Sequence, residues 1–441
     1  MPATARARAL ETLIAIDERG AYANLALQEL TGLSPRDTAL VTELVNGTTR
    51  MRRALDHVLS AFVTKGLAGL TPAIRNNLRM GAYQLLYTTR IPAHAAIDEA
   101  VKLARRYGHA GVAGLTNAVL RRVQREGRDV PFPEGDPVVA IATRHSLPDW
   151  IVAAWIRDYG VETAEALARH SNLPTPLAVR TNTFKTTRDR LLSEITATGI
   201  EAESSQVVPE GIRFPAGVAL SRLPGFDEGL WYVQGEAAML TSRIVAPRPG
   251  EVVADVGAAP GGKSTHLAAL MEDRGQVLAI DPHPNRLALV TENATRLGLS
   301  IVTPCEQDGT EPLATPVNRA LVDAPCSGLG VLYRKADLRW RQTPDQAASL
   351  PDLQRTILDR VGAAVKPGGV LVYATCTVLR AENEEVVLGF LADHPEFSAG
   401  DLAPFLPEAW KSDARNGMIQ LMPHRHGVEG FFLARLERRH A

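Results

Sequence analysis

Two of the chain's three cysteines stand beside residues that invite chemistry, in Asp323-Ala324-Pro325-Cys326 and in Ala374-Thr375-Cys376-Thr377. Each follows an apolar run that reads as a buried strand, Ala320-Leu321-Val322 and Val370-Leu371-Val372-Tyr373. In open α/β sheets, ligands bind and reactive side chains collect beyond the carboxyl ends of the strands. If these two strands are near neighbours, thiols 50 positions apart face one crevice. A single cysteine is ordinarily a small packing residue, and Cys305, inside a third strand, is read as one. A pair at strand ends beside an aspartate points to a thiol-dependent enzyme.

A glycine loop, Gly257-Ala258-Ala259-Pro260-Gly261-Gly262-Lys263-Ser264, joins an earlier strand to its helix and matches the phosphate-loop pattern G-x-x-x-x-G-K-[ST]. Three features oppose an ATPase reading. Asp255 ends the strand, where a carboxylate repels a triphosphate. Pro260 removes a backbone N–H from a loop that needs donors for phosphate. Asp281 ends the next strand, where an acid commonly grips a ribose hydroxyl. Asp308 follows the third strand and could accept from an adenine amino group. Glycines that admit a ligand to the backbone, with acids at successive strand ends, suit a cationic nucleoside without phosphates. S-adenosylmethionine is such a ligand.

The thiols fit that cofactor. C5 of cytosine is a weak nucleophile, and a thiolate adding to C6 makes C5 enamine-like and able to take a sulfonium methyl group. An acid bonded to N3 and the exocyclic amine stabilises the charge that develops. A base must then remove the C5 proton so that the thiol can leave. Cys326, Cys376 and Asp323 match this set in number and type, and Lys263 can orient Asp323 or favour a thiolate electrostatically. His424 and His426 alternate along a stretch read as extended, and with no third ligand they are expected to be surface residues, so no metal site is expected.

The elements that must position these groups follow from periodicity. Residues 4–127 read as helices only, with runs over 37–48, 52–61, 72–86, 95–106 and 113–126, a compact bundle. A linker rich in Pro and Gly follows over 126–137. Two helices over 148–170 lead into a small α+β insert, with a strand over 177–182 and a helix over 188–198. From residue 251, strands (252–255, 277–281, 301–305, 319–323, 370–375) alternate with helices (263–271, 284–297, 353–365, 382–392). That is a doubly wound, mostly parallel Rossmann-like sheet, and a closing pair over 418–422 and 430–436 places an antiparallel strand at or inside its edge. The expected division is 1–130, 131–236 and 237–441.

Length and composition agree with a multidomain globular protein of 441 residues, 45% apolar and 22% charged. No apolar run reaches the roughly 18 residues of a membrane helix. The N-terminal Met1-Pro2-Ala3-Thr4-Ala5-Arg6 lacks the apolar core of a secretory signal. Three scattered cysteines form no disulfide framework, so a cytoplasmic protein is expected. The net charge of −1 conceals an asymmetry, because residues 1–130 carry 18 Lys and Arg against 11 Asp and Glu. Such a basic segment can contact a polyanion or be a solvated surface.

At these residues the chain resembles the NOL/NOP/Sun family of RNA cytosine-5 methyltransferases. The glycine motif of that family is similar to residues 255–264, its aspartate-proline-cysteine motif to 323–328, and its threonine-cysteine motif to Thr375-Cys376. The N-terminal helices resemble a NusB-like RNA-binding domain, on Ile91-Pro92-Ala93-His94-Ala95-Ala96-Ile97-Asp98-Glu99-Ala100-Val101 and Leu115-Thr116-Asn117-Ala118-Val119-Leu120-Arg121. The fusion of the two resembles bacterial enzymes acting on 16S rRNA, over nearly the whole chain. The resemblance implies Cys376 as nucleophile and Cys326 as the thiol that assists product release. It implies S-adenosylmethionine contacts at Gly257, Ala258, Ala259, Pro260, Gly261, Gly262, Lys263, Asp281, Asp308 and Asp323. The implied partner is 16S rRNA, free or in an early assembly intermediate, bound by a monomer without a membrane. The alternatives are another RNA such as tRNA, or a non-catalytic NusB-like RNA-binding protein. Four positions depart from the family pattern. Gly257 stands where the family often has Cys, a change the loop should accept because glycine fits any backbone angle. Gln234-Gly235-Glu236-Ala237-Ala238 replaces a Gln-Asp-Glu-Ala-Ser-like segment, and Glu429 stands where Asp is common.

Overall fold

The computed structural model describes residues 4–174 and 176–440. Residues 1–3, on which part of the signal-segment reading falls, lie outside them. Chain contacts divide the protein into two units, Met1–Asn172 with Leu332–Arg341, and Leu173–Val331 with Gln342–Ala441.

The first unit is helical, and its helix starts follow local rules. Thr4, Ser34 and Thr71 each accept a backbone N–H of the first turn from the N-cap position, and Pro35 and Pro72 occupy the first helical position. The helices Ala5–Arg19, Pro35–Arg50, Arg52–Ser60, Pro72–Tyr87, Ala93–Tyr107 and Ala110–Glu126 turn their apolar faces onto one core containing Leu10, Leu44, Leu55, Leu59, Leu78 and Leu120. Each such leucine contributes on the order of 2 kcal/mol by leaving water. Ala23–Gln28 and Pro137–His145 are among the helices that go beyond the sequence expectation. Ala23–Gln28 is too short to show a period. Pro137–His145 begins inside the presumed linker, because Asp136 caps it and Pro137 opens it.

A ten-residue segment from far along the chain completes this unit. Arg339 is fully buried and donates to the carbonyls of Arg50, Ser146 and Ser171 and to Asn172 Oδ1. Trp340 Nε1 donates to Thr49 O at 2.7 Å, and Asp337 accepts from Ala23 N–H at 3.1 Å.

The second unit holds two sheets. Strands β1 (Leu177–Thr181), β2 (Glu203–Ser204), β3 (Gly211–Phe214) and β4 (Trp231–Val233) form a small antiparallel sheet in the order β2-β3-β1-β4. The large sheet comprises β5 (Val252–Val256), β6 (Gln276–Asp281), β7 (Val302–Glu306), β8 (Val317–Asp323), β9 (Val365–Thr375), β10 (Phe397–Ala399), β11 (Met418–Leu421) and β12 (Phe431–Arg438). Its order is β10-β12-β9-β8-β5-β6-β7, with β11 also paired to β12. Strands β5 to β9 are mutually parallel, and β12 runs antiparallel between β9 and β10. The closing strand therefore lies inside the sheet edge.

The chain proceeds from β5 through β6 and β7 to one side, then crosses to β8 and β9 on the other. The switch point lies between β5 and β8, where an open α/β sheet leaves its crevice. The helix Glu236–Val245, absent from the sequence expectation, is buried on nearly all sides and opens at Gly235 without a side-chain cap.

Candidate active site

Strands β8 and β9 are direct neighbours, with Asp323 opposite Ala374. Cys326 lies three residues past the first position and Cys376 two past the second, and their sulfurs are 3.4 Å apart. Gly330 N–H donates to Cys376 O at 3.0 Å, and Gly330 O accepts from Gly430 N–H at 3.1 Å. A side chain at Gly330 would meet both of those segments, its Cβ 2.0 Å from Gly430 O and 2.9 Å from Cys376 O. The hydrogen bond to Cys376 together with burial pushes the Cys326 thiol well above its ordinary range, with Cys376 and Glu382 adding negative charge nearby.

Lys263 comes to this pair from the glycine loop. Its Nζ lies 2.5 Å from Asp323 Oδ2 and 5.7 Å from the centre of the Phe431 ring. Burial alone would lower the ammonium pKa, but the charges of Asp323, Asp255 and Cys376 raise it, so Lys263 is held as a cation. Beneath the loop, Asp255 is completely buried. Ser264 Oγ donates to its Oδ2 at 2.5 Å, and its Oδ1 has no partner.

The loop is not built as a phosphate cradle. The N–H groups of Gly257 and Ala258 both donate to Ile280 O, and Gly261 N–H donates to Ala258 O. The lysine is already committed to Asp323. Gly257 has φ +81°, and a Cβ there would lie 2.3 Å from Asp323 O, which suits glycine at this position. From the small sheet, the fully buried Arg180 donates to Gly262 O, Gln234 Oε1 and Thr265 Oγ1. Its guanidinium lies 5.3 Å from the centre of the Tyr232 ring, and burial lowers its pKa to about 10. Arg180 thus fastens the loop to β1.

Asp281 is buried at the end of β6. Its Oδ1 accepts from His283 N–H at 3.1 Å, and Oδ2 lies 3.3 Å from Arg286. Asp308 is exposed two residues past β7, where Oδ1 accepts from both the N–H and the hydroxyl of Thr310, and those bonds hold its pKa below the ordinary value. A carboxylate has about four acceptor positions, so both acids keep capacity for further donors. Asp255, Asp281, Asp308 and Asp323 at or near four strand ends, with one lysine already paired, suit a cationic nucleoside better than a triphosphate. The residues present therefore fit S-adenosylmethionine.

Two expectations are corrected and one is refined. Residues 423–426 form a short helix, not an extended stretch, so His424 and His426 do not alternate on one face. His426 is buried, with Nε2 3.1 Å from Asp413 and its ring edge-on to Trp410. Among the described residues no group of three or more His, Cys, Asp and Glu could hold a metal ion. Cys305 is only half-buried and packs on the flank of the sheet core.

The structure also explains a departure from the family pattern. Gly235 is the N-cap of the helix Glu236–Val245 and has no side chain to cap it. Glu429 reaches across, and its Oε2 accepts Ala237 N–H at 3.2 Å. A Cβ at Gly235 would lie 1.7 Å from Glu429 Oε1, so the missing side chain and the longer acid accommodate each other.

Several residues of the site escaped the sequence reading. Arg180, Gln354, Glu382 and Asn383 are buried and bonded to the loops that carry the candidate groups. A buried charge in a strand (Arg180) was the one signal that could have marked any of them.

A family model described as 16S rRNA methyltransferase RsmB/F matches residues 242–437. A NusB family model matches 3–125, and a ferredoxin-like domain of RsmF/B-like methyltransferases matches 147–221. A Bacillus subtilis protein described as "Probable ribosomal RNA small subunit methyltransferase B" is 39% identical over 441 residues, covering 98% of each chain. The chain belongs to the RsmB/F family, with a NusB-like N-terminal domain. A Pseudomonas putida family member, "Ribosomal RNA small subunit methyltransferase B", is 36% identical, covering 99% of this chain and 98% of its own. The crystal structure of PH0851 superposes with a TM-score of 0.80 at 26% identity, covering 98% of each chain. NSun6 from Pyrococcus horikoshii matches 66% of this chain and 98% of its own, with a TM-score of 0.60 and 25% identity. The architecture shared with this family is a NusB-like bundle, a small β-rich insert and a Rossmann-like methyltransferase domain.

Proposed function

We propose that the protein methylates C5 of a specific cytosine in 16S rRNA through a covalent thiol adduct. The observation that carries this reading is the 3.4 Å separation of two thiols at the ends of adjacent parallel strands, beside the Lys263–Asp323 pair. A single nucleophile would need no such neighbour. Two thiols answer the need for one group that attacks and another that helps undo the attack.

In this reading Cys376 Sγ, as thiolate, forms a bond to C6 of the cytosine. Lys263 favours the thiolate electrostatically. Asp323 accepts from the exocyclic amine and from N3–H once N3 takes up a proton from solvent as charge builds on the ring, and Lys263 holds its carboxyl in place. S-adenosylmethionine, when bound by residues 257–263 with Asp281, Asp308 and Asp323, supplies an electrophilic methyl group. Cys326 then acts in release: ionised, it takes the C5 proton on Sγ. The electrons of the C5–H bond re-form the C5–C6 double bond, and the S–C6 bond breaks with its electron pair leaving on Cys376 as thiolate. The raised pKa of Cys326 makes its thiolate a strong base for that proton. The target base must be unstacked or flipped, because C6 is inaccessible inside a helix.

The assignment of 16S rRNA rests on the named relatives and the NusB-like domain. A monomer acting in the cytoplasm, on free rRNA or an early assembly intermediate, completes the proposal. Bisulfite sequencing of rRNA from a deletion strain should show one 5-methylcytosine of 16S rRNA lost, and persistence of all of them would refute the substrate. Cys326→Ala should accumulate RNA–protein adduct and Cys376→Ala should form none; the reverse pattern would exchange the roles.

A further inference from the structure

Two consecutive buried side chains, Glu382 and Asn383, precede the helix Glu384–Asp393; Asn383 is bonded to the residues on both sides of one thiol, and Glu382 to the residue after the other and, through Gln354, to the residue before it. Glu382 Oε2 accepts the N–H of Ser327, the residue after Cys326, at 2.8 Å. It also accepts from Gln354 Nε2 at 3.0 Å, and the same amide donates to the carbonyl of Pro325, the residue before Cys326, at 2.9 Å. Asn383 repeats the arrangement on the other thiol. Its Oδ1 accepts from Thr375 Oγ1 at 2.5 Å, and its Nδ2 donates to Thr377 O at 3.1 Å, so both neighbours of Cys376 are held.

The two halves are tied together. Ser327 Oγ and Thr377 Oγ1 are 2.7 Å apart, Tyr373 OH donates to the Glu382 carbonyl at 2.6 Å, and Asn383 Nδ2 donates to Gln420 Oε1 at 2.8 Å. Burying a carboxylate is costly, and Ser327, Gln354 and the Thr377 side chain offset only part of that cost at Glu382. Burial accordingly pushes the Glu382 carboxyl above its ordinary value, against the pull of its bonds to Ser327 and Gln354. A packing role alone would be filled more cheaply by an apolar side chain.

We propose that Glu382 and Asn383 form a positioning clamp that sets the spacing and aim of the two thiols, Glu382 for Cys326 and Asn383 for Cys376. Neither is a catalytic residue, since each acts through the backbone beside a thiol. The kinetic part of the test rests on the proposed roles of the two cysteines; the geometric part does not.

The geometric part uses phenylarsine oxide, whose arsenic forms two As–S bonds with a close pair of thiols and releases water. The second bond is intramolecular, so affinity reports the thiol spacing through effective concentration. The wild-type protein should bind one equivalent, and Cys326→Ala or Cys376→Ala should abolish tight binding. Glu382→Ala and Asn383→Ala should each weaken it about tenfold or more while S-adenosylmethionine affinity, measured by calorimetry, changes less than about twofold. Glu382→Gln, which can still accept from Ser327 N–H, should recover most of the loss. Alanine variants that keep wild-type arsenical affinity overturn the clamp. Should an alanine variant fail to bind S-adenosylmethionine, Gln354→Ala decides, because it severs the link from Glu382 to Pro325 while Glu382 keeps its bond to Ser327 and Asn383 keeps all of its own. Unchanged arsenical affinity there also overturns the proposal.

In the adduct assay, Glu382→Ala should accumulate RNA–protein adduct and Asn383→Ala should form it slowly. Equal effects on formation and release would overturn the division between the two residues. The single cysteine variants run alongside: if their pattern is reversed the assigned thiol roles fall, while the arsenical result still judges the clamp.

Discussion

Asp255 offers the sharpest physical test of the crevice. It ends β5 beneath the glycine loop, wholly buried, with one oxygen bonded by Ser264 and the other without a partner. Burial raises its pKa from 3.8 to about 6, outweighing the Ser264 hydrogen bond and the Lys263 charge, and Asp323 and Asp281 add repulsion. In the unfolded chain the group titrates near its ordinary value. Below about pH 4 both states hold the proton and Asp255 adds no pH dependence. Between about pH 4 and 6 only the unfolded state releases it, so stability falls as pH rises; above about 6 both are ionised and the loss is complete. At ~1.4 kcal/mol per pH unit across that window, the loss comes to about 3 kcal/mol.

Asp255→Asn cannot ionise and still offers Ser264 an acceptor. Urea unfolding of both proteins from pH 4 to 7.5 isolates the contribution, because other titrating groups cancel in the difference. The variant should gain about 3 kcal/mol on the wild type between the ends of that range. A difference that stays flat, or that runs the other way, would refute the assignment of a raised Asp255 pKa. If the crevice takes a sulfonium cofactor as proposed, binding near pH 6 favours the ionised form and releases protons. Calorimetry in two buffers of different ionisation enthalpy reads that release.

Two further predictions concern how the units are built. Gly235→Asp should cost about 2 kcal/mol, because its Cβ would stand 1.7 Å from Glu429 Oε1. Glu429→Asp should cost about 1 kcal/mol by withdrawing the acceptor from Ala237 N–H. The double variant should lose less than the sum by about 1 kcal/mol or more in a denaturation cycle, since a side chain at 235 can then cap its own helix; additive costs would show the two positions to be independent. Arg339→Met should destabilise the helical unit by about 3 kcal/mol, because carbonyls of Arg50, Ser146 and Ser171 lose a buried donor. Hydrogen exchange over 332–341 should accelerate with it, and unchanged protection would show that Arg339 does not hold the segment.

Much of the fold is legible in local pattern. The alternation of apolar strands and helices from residue 251 onward gives a mostly parallel sheet, since strands buried on both faces read as unbroken apolar runs. Helices with a solvated face in the first unit show their period, and capping residues mark their starts within a few positions. What stayed hidden has physical causes. The helix Glu236–Val245 is short and opens at a glycine that offers no capping side chain, so no start signal marks it. Pro137 reads as a chain breaker in a Pro-rich linker, although proline at the first helical position promotes a start. The assignment of residues 332–341 to the helical unit is a long-range fact that no local pattern carries.

The candidate site divides along the same line. Cys326, Cys376, Asp323 and Lys263 are visible because unusual residue types stand at strand ends and in a glycine loop. Whether two strand ends are adjacent depends on where the chain crosses the sheet, and only the pairing of β8 with β9 brings the sulfurs to 3.4 Å. Adjacent strands alone do not complete the arrangement, because each thiol lies beyond its strand, on a loop free to turn away. Neighbouring strands deliver the two loops; buried amides and a carboxylate must then hold them. Those holders look ordinary in sequence. Glu382 and Asn383 read as the first turn of an amphipathic helix, and Gln354 as a polar residue on another. Reactive groups are betrayed by residue type and strand position, whereas the groups that aim them are recognised by burial and bonding, which no short stretch of sequence displays.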